Sequence, residues 1–164
     1  LLDWLLRKEP SLICSVVDNR GETLVQKLAE EENQWAIYSL LNFSSPLIDH
    51  AGRILVDIAL EKKDAHLLER LLDKQPSLVD SPHLNAETLA QMAIEESKCR
   101  LLELGLEKEP DLLRSEGGNL VHAAIRKQNT TILLFLLEKE PALIHSIDDE
   151  GRSLAHVAVR KVQS

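Results

Sequence analysis

Two stretches late in the chain carry almost the same sequence, GNLVHAAIRK at 118–127 and GRSLAHVAVRK at 151–161. Between them lies the apolar run ILLFLL at 132–137, which is followed by EKEP. Internal self-similarity restricts a chain to repeat architectures, in which each unit buries its apolar face against its neighbours. We therefore expect the whole chain to consist of copies of one unit.

The unit can be followed along the chain from the residue that opens each copy. The openers are Gly21, Gly52, Ala86, Gly117 and Gly151, whose sequence numbers differ alternately by thirty-one and thirty-four. Each complete copy reaches a proline at a nearly constant distance from its opener: Pro46, Pro76, Pro110 and Pro141. The distance from a proline to the next opener alternates between short and long, so the larger unit is a double repeat.

Within a copy, the apolar spacing predicts two helices, and each opener predicts a turn. Asn33, Asp64 and Asn129 stand where they can cap the second helix, because their side chains accept hydrogen bonds from its first N–H groups. Each second helix should end before its proline, since the residue preceding a proline is pushed out of the α region.

A period near 33 with a turn and two helices resembles the ankyrin repeat, whose signature is TPLH-x-A. SLAHVA at 153–158 is the nearest match and NLVHAA at 119–124 is the next; leucine takes the family's proline position in all five copies. The glycine that the family places after its second helix is replaced by glutamate or glutamine: Glu9, Gln75, Glu109 and Glu140. The copies are diverged and are similar to those of bacterial ankyrin-repeat proteins.

The resemblance implies an all-α fold, an ankyrin-like solenoid of helix-turn-helix repeats forming one domain over 1–164. A partial repeat covers 1–17, and further copies open near 18, 49, 83, 114 and 148, the last being incomplete. Because the sequence starts and stops within a repeat, we expect it to be a fragment of a longer protein.

The third copy departs most from the pattern. Ala86 replaces the opening glycine, Lys98 stands at the capping position, and Gly105 stands where the other copies have leucine. We expect sequence drift at Gly105, which leaves a core position unfilled, so that replacement by Ala or Leu should fill the gap and stabilise the protein. The alternative is a hinge or a close backbone contact, for which both replacements destabilise.

Two histidines are the best candidates for chemistry. His122 and His156 occupy equivalent positions, where the other copies have Gln26, Asp57 and Gln91. Polar groups of these types suit a structural bond near a turn, and the resemblance implies that role. We expect no metal, no cofactor and no catalytic residue, hence no enzymatic activity, because no nucleophile elbow, phosphate loop or HExxH motif is present.

Composition narrows the partners. A formal net charge of −8 and a pI near 5.2 argue against nucleic acid, which requires a basic face. The apolar runs are too short to cross a membrane. Cys14 and Cys99 lack the spacing of a metal site and suit a reducing compartment, which predicts a cytoplasmic location, or a host cytosol for a secreted effector.

The predicted function is recognition of another protein through the concave face and loop tips that the resemblance implies. Charges after each first helix change from acidic to basic along the chain, although a solvated face explains this pattern equally well. The expected partner-binding residues are Arg20, Glu22, Glu30, Glu31, Arg53, Lys62, Lys63, Glu95, Glu96, Arg126, Lys127, Arg152, Arg160 and Lys161. Two alternatives stay open: the recruitment domain of a larger enzyme, such as a secreted bacterial effector, and a structural spacer or scaffold.

Overall fold

The computed structural model describes residues 4, 8–15, 19, 21–30 and 45–162. Over these residues the chain is mostly helical and contains no strand, which confirms the prediction of an all-α protein. The chain divides into two compact units, Leu1–His83 and Leu84–Ser164. The boundary coincides with the predicted opening of the third copy near residue 83.

The first unit is organised around its longest described helix. Its elements in chain order are a 3₁₀ turn at Pro10–Cys14, α1 at Leu24–Glu30, α2 at Ser45–Glu61, α3 at Ala65–Lys74 and a second 3₁₀ turn at Pro76–Asp80. Helix α2 contacts all four of the others. Its buried residues Leu55, Val56 and Ala59 share an aliphatic core with Val25 of α1 and Leu68 of α3.

The second unit is organised around a helix near the middle of its sequence. Its elements are α4 at Ala86–Glu96, α5 at Cys99–Lys108, α6 at Leu112–Ser115, α7 at Gly117–Arg126, α8 at Thr130–Lys139, a 3₁₀ turn at Pro141–His145 and α9 at Leu154–Val162. Helix α7 is central, since it contacts α4, α6, α8, α9 and the 3₁₀ turn. Its Val121 and Ala124 are fully buried.

The turn inside each helix pair has the same geometry in three copies. Lys63, Ser97 and Gln128 adopt a left-handed conformation, with φ of 52°, 56° and 56°. The next N–H donates to the carbonyl five residues earlier, as in Asn129 to Ala124 at 2.8 Å, which is the bond of a Schellman motif.

Capping follows the sequence prediction where the structure tests it. Asp64 Oδ1 accepts from the N–H of Leu67 at 2.8 Å, and Asn129 Oδ1 accepts from that of Ile132 at 3.1 Å. Lys98 makes no capping bond through its side chain. The predicted caps at 64 and 129 and the missing cap at 98 are confirmed, whereas Asn33 lies outside the described residues.

The prolines end helices as predicted, and the length of each connection decides the structure after the proline. Helices α3, α5 and α8 each end two residues before a proline. The single residue between the helix end and the proline has φ near −138°. The long connections begin with the three 3₁₀ turns, at Pro10, Pro76 and Pro141. Each 3₁₀ turn ends at a serine whose N–H donates to the leucine carbonyl three residues earlier: Ser15, Ser81 and Ser146.

The prediction of a turn at every opener is wrong at three of the five positions. Gly21 and Gly151 have φ of +81° and +72° and lie in turns, as expected. Gly52, however, lies inside α2, and Ala86 and Gly117 are the first residues of α4 and α7. The connections from Pro46 to Gly52 and from Pro110 to Gly117 are short and leave too few residues for a separate loop. Pro46 therefore lies in the first turn of α2, where a proline costs no hydrogen bond.

Gly52 and Gly117 instead provide room for a leucine. A Cβ on Gly52 would lie 3.0 Å from Leu78, and one on Gly117 would lie 2.8 Å from Leu143. Both leucines are buried, and each stands two residues after the proline of a 3₁₀ turn. The two glycines therefore let each 3₁₀ turn pack directly on a helix backbone.

Gly105 also lies at a close contact and does not leave a gap. A Cβ there would approach the backbone oxygen of Ala86 to 3.1 Å and the Cβ of Leu89 to 3.3 Å. The equivalent leucines, Leu71 and Leu136, are fully buried in their own helix pairs. The geometry favours the close-contact interpretation over drift, because a backbone oxygen in α4 cannot move aside as a side chain can.

We therefore expect Gly105→Leu to lower the free energy of unfolding by about 1–3 kcal/mol, the usual cost of overpacking. Urea denaturation measures this change. The control is Gly118→Ala in α7, where a Cβ would meet only the Ser146 Cβ at 3.5 Å. That variant should stabilise by up to about 1 kcal/mol through helix propensity. Stabilisation by Gly105→Leu would restore the drift interpretation.

Asn129 generates a second prediction about stability. Its side chain caps α8 and also donates to the carbonyl oxygen of Ile94 at 2.8 Å, in a buried position. Asn129→Ala should cost about 2–3 kcal/mol, because a cap is lost and a buried acceptor loses its donor. Asn85→Ala removes only an exposed cap, to Thr88 at 2.7 Å, and should cost about 1 kcal/mol in the same denaturation experiment. Equal losses would contradict the role of the bond to Ile94.

Candidate partner-binding grooves

A groove of about 510 Å³ lies between α4 and α7 in the second unit, and we call it the α4/α7 groove. Its floor contains the buried residues Ile94 and Leu120 beside the half-buried Ala123. Polar side chains form its walls: Glu87, Gln91 and Glu95 on α4, and Glu116, Asn119, Arg126 and Lys127 on or beside α7.

The first unit has a groove of about 430 Å³ between α1 and α2, which we call the α1/α2 groove. Ile54 and Ile58 of α2 supply its apolar surface. Its polar lining consists of Glu22, Gln26, Asp57, Glu61 and Lys62.

The two grooves use the same positions of the repeat. Counted from each opener, six positions line both grooves. The pairs are Glu22 and Glu87, Gln26 and Gln91, Ile54 and Asn119, Ile58 and Ala123, Glu61 and Arg126, and Lys62 and Lys127. Each unit therefore builds one groove from two neighbouring first helices, and the main change in charge is glutamate to arginine.

The charges of the α4/α7 groove are partly compensated. Lys127 lies 4.0 Å from Glu95, which joins the ends of the two helices. Glu87 accepts a hydrogen bond from the Gln91 amide at 3.1 Å. Glu116 accepts one from the Asn119 amide at 2.7 Å. Both of these donors are neutral, so the negative charge of each carboxylate is retained.

The predicted partner-binding residues differ in where the structure places them. Five line the grooves: Glu22, Lys62, Glu95, Arg126 and Lys127. Three are exposed near the grooves without lining them: Arg53, Lys63 and Glu96. Arg20 and Glu31 lie outside the described residues, and Glu30, Arg160 and Lys161 lie in helices whose side chains at these positions are not described.

Arg152, the remaining predicted residue, is held by its own turn. Its guanidinium donates to Asp148 Oδ2 at 2.7 and 2.9 Å, and it lies 2.7 Å from a carboxylate oxygen of Glu150. Asp148 also accepts from the backbone N–H groups of residues 150 and 152. This network fixes the turn before α9. The charge of Arg152, which we predicted to contact a partner, is therefore paired within the turn.

The two equivalent histidines have different environments. His156 Nδ1 lies 2.8 Å from the Ser153 hydroxyl, which fits the predicted bond within its own turn. Gln26 does the same with Thr23, whose N–H and hydroxyl both lie 2.8 Å from Gln26 Oε1. His122 is fully buried and neither ring nitrogen has a described partner, so the predicted turn bond is wrong there. Helix α7 begins five residues before His122 and places it inside the helix pair.

The predicted partner-binding residues were all charged, so the apolar floor and the amide-bearing side chains of both grooves were missed. Recurrence was the available signal: a glutamate follows the opener in Glu22 and Glu87, and a glutamine stands four residues further on in Gln26 and Gln91. Facing positions in neighbouring copies had to be compared in pairs to reveal a shared lining.

No protein-family model, curated protein or solved structure matches the chain. Among the described helices, none combines the length and apolar composition that crossing a membrane requires. Over the same residues, His, Cys, Asp and Glu side chains form no group of three that could hold a metal ion.

The Asp148–Arg152 pair predicts a specific dependence of stability on pH. The hydrogen bond from the Arg152 side chain lowers the pKa of Asp148 from 3.8 to about 2. A carboxyl with a lowered pKa in the folded state contributes stability that is complete above its unfolded pKa and is lost as the pH falls towards the folded value. We expect the melting temperature of the wild type to include such a loss between about pH 4 and pH 2.

Asp148→Asn should lower the melting temperature at pH 7 and remove this component of the acid loss. Thermal melts followed by circular dichroism between pH 2 and 7 measure both effects. Asp149→Asn, at the exposed neighbouring position, should keep the wild-type profile. Identical acid profiles for Asp148→Asn and the wild type would show that the pair does not couple to folding.

Proposed function

We propose that the chain is an ankyrin-like array of helix pairs that recognises another protein through the grooves between its first helices. The observation that carries the proposal is the recurrence of six lining positions in the α1/α2 and α4/α7 grooves. Because the same positions face one another in both units, the array presents a series of similar surfaces that a partner can contact.

The internal geometry supports the repeat array. The Schellman turns after α2, α4 and α7 have matching hydrogen bonds, and the 3₁₀ turns after successive double repeats have matching serine caps. Solenoids of this kind present a series of similar surfaces, because each unit contacts only its neighbours. We infer a cytosolic setting because neither Cys14 nor Cys99 forms a disulfide bond with a residue that the structure describes.

The chemistry of the grooves suits a protein partner. An apolar floor surrounded by charged and amide side chains offers both burial and directional hydrogen bonds, which is the anatomy of a protein interface. The exposed charges contribute mainly to the rate and selectivity of association, since rim charges steer encounter more than they add affinity. The proposal requires no cofactor and no reaction.

The test is to reverse charges in one groove at a time. Arg126→Glu with Lys127→Glu alters the α4/α7 groove, and Glu61→Lys alters the α1/α2 groove. Each variant should lose a distinct set of proteins captured from cell lysate, quantified by mass spectrometry. The loss should be largest at about 0.01 M salt, where the Debye length is about 30 Å. Helical circular dichroism should not change, because exposed substitutions rarely alter stability by more than about 0.5 kcal/mol.

Arg53→Glu is the matched control. Arg53 is exposed on α2 and does not line the groove, so its reversal makes the net charge more negative without altering the lining. If all variants and the wild type capture the same proteins, the grooves do not recognise partners. A spacer would then fit the chain better.

A further inference from the structure

The α4/α7 groove has two carboxylates without a cationic partner at one end. Glu87 lies in the first turn of α4, and Glu116 is the residue that precedes α7. Both accept hydrogen bonds only from neutral amides, and neither forms an ion pair with any residue that the structure describes. Two carboxylates at one end of a groove attract a cation, and their hydrogen-bonding capacity suits the several N–H donors of a lysine or arginine.

The opposite end carries an uncompensated cation. Arg126 is the last residue of α7, is exposed, and has no ion-pair partner within the described part of the chain. Its neighbour Lys127 is matched by Glu95 at 4.0 Å. A guanidinium presents a fork of donors that fits a carboxylate with two parallel hydrogen bonds. This end therefore favours an aspartate or glutamate.

The distance between the two ends sets the spacing of the partner's charges. Glu116 and Arg126 are ten residues apart along a helix, which corresponds to about 15 Å. An extended peptide advances about 3.3 Å per residue, so about four residues separate its two charged side chains. Between the ends, the buried Ile94 and Leu120 and the half-buried Ala123 give the groove an apolar floor.

We propose that the α4/α7 groove binds an extended peptide segment of a partner protein that carries a basic residue and, about four residues away, an acidic residue. This inference rests on the proposed function, since it names the partner's chemistry for one of the two grooves. The basic residue contacts Glu87 and Glu116, and the acidic residue contacts Arg126. Either chain direction satisfies the contacts.

The α1/α2 groove provides the internal comparison. Glu61 stands at the position of Arg126, and Asp57 adds a further carboxylate to the lining. Glu61 therefore gives that end a negative charge where the α4/α7 groove is positive. The variant Arg126→Glu gives the α4/α7 groove the charge found at this position in the α1/α2 groove, so it changes selectivity by a substitution that the fold already accommodates.

The experiment is a selection of random seven-residue peptides displayed on phage against the 164-residue chain. Parallel selections use Arg126→Glu, the double variant Glu87→Lys and Glu116→Lys, and Arg114→Glu as control. Arg114 is exposed, lies on α6 and does not line the groove. The wild type and Arg114→Glu should enrich peptides with a basic and an acidic residue three to five positions apart. Arg126→Glu should lose the acidic residue, and the Glu87/Glu116 variant should lose the basic one.

Fluorescence anisotropy then quantifies one enriched peptide. Arg126→Glu should weaken its binding by at least about tenfold at low salt, since opposed like charges at an interface are strongly unfavourable. A peptide with lysine in place of its acidic residue should recover affinity for that variant. Enriched peptides that lack the charge pair, or that bind Arg126→Glu unchanged, would overturn the inference and leave peptide recognition intact. Failure to enrich any sequence would overturn the inference together with the proposed function.

Discussion

Each unit depends on a leucine that packs against a helical glycine. Leu78 on Gly52, and Leu143 on Gly117, bring a 3₁₀ turn onto a helix backbone at distances that leave no room for a Cβ. The contact fixes where each of these 3₁₀ turns lies on the helix of its own unit. A chain whose core is almost wholly aliphatic has few large side chains to fill gaps, so direct backbone contact replaces bulk.

Local features of the fold could be predicted from the sequence, and features that depend on two distant segments could not. The caps at Asp64 and Asn129 and the helix ends before prolines follow from side-chain and backbone geometry within a few residues. Gly117 was expected in a turn, because the leucine that it contacts, Leu143, belongs to a distant segment of the chain. Gly105 was expected to leave a gap for the same reason, since only its distance from α4 distinguishes a gap from a contact.

The same distinction explains the outcome at the candidate site. Arg126 and Lys127, which line the α4/α7 groove, were among the predicted residues, because a charge that follows a helix can be recognised in the sequence alone. Glu87 and Glu116 were missed because each stands at the start of its helix and gains meaning only when two copies face one groove. The prediction for His122 was wrong for a similar reason. His122 is buried, whereas the equivalent His156 on α9 is exposed. Equivalent positions share a backbone location but not the neighbours that cover them.

Because equivalent positions share a backbone location but differ in their side chains, two similar grooves can differ in the partners that we propose for them. The residues that hold the helices together, such as Val121, Ala124 and Leu136, are fully buried, and shortening a leucine there costs about 2–5 kcal/mol. The lining residues are mostly exposed, so exchanging Glu61 for an arginine, or Arg126 for a glutamate, alters stability by only about 0.5 kcal/mol. The repeat therefore fixes the position of each groove strongly and its charge weakly. Under the proposed function, a duplicated unit can change its partner by one substitution without loss of fold.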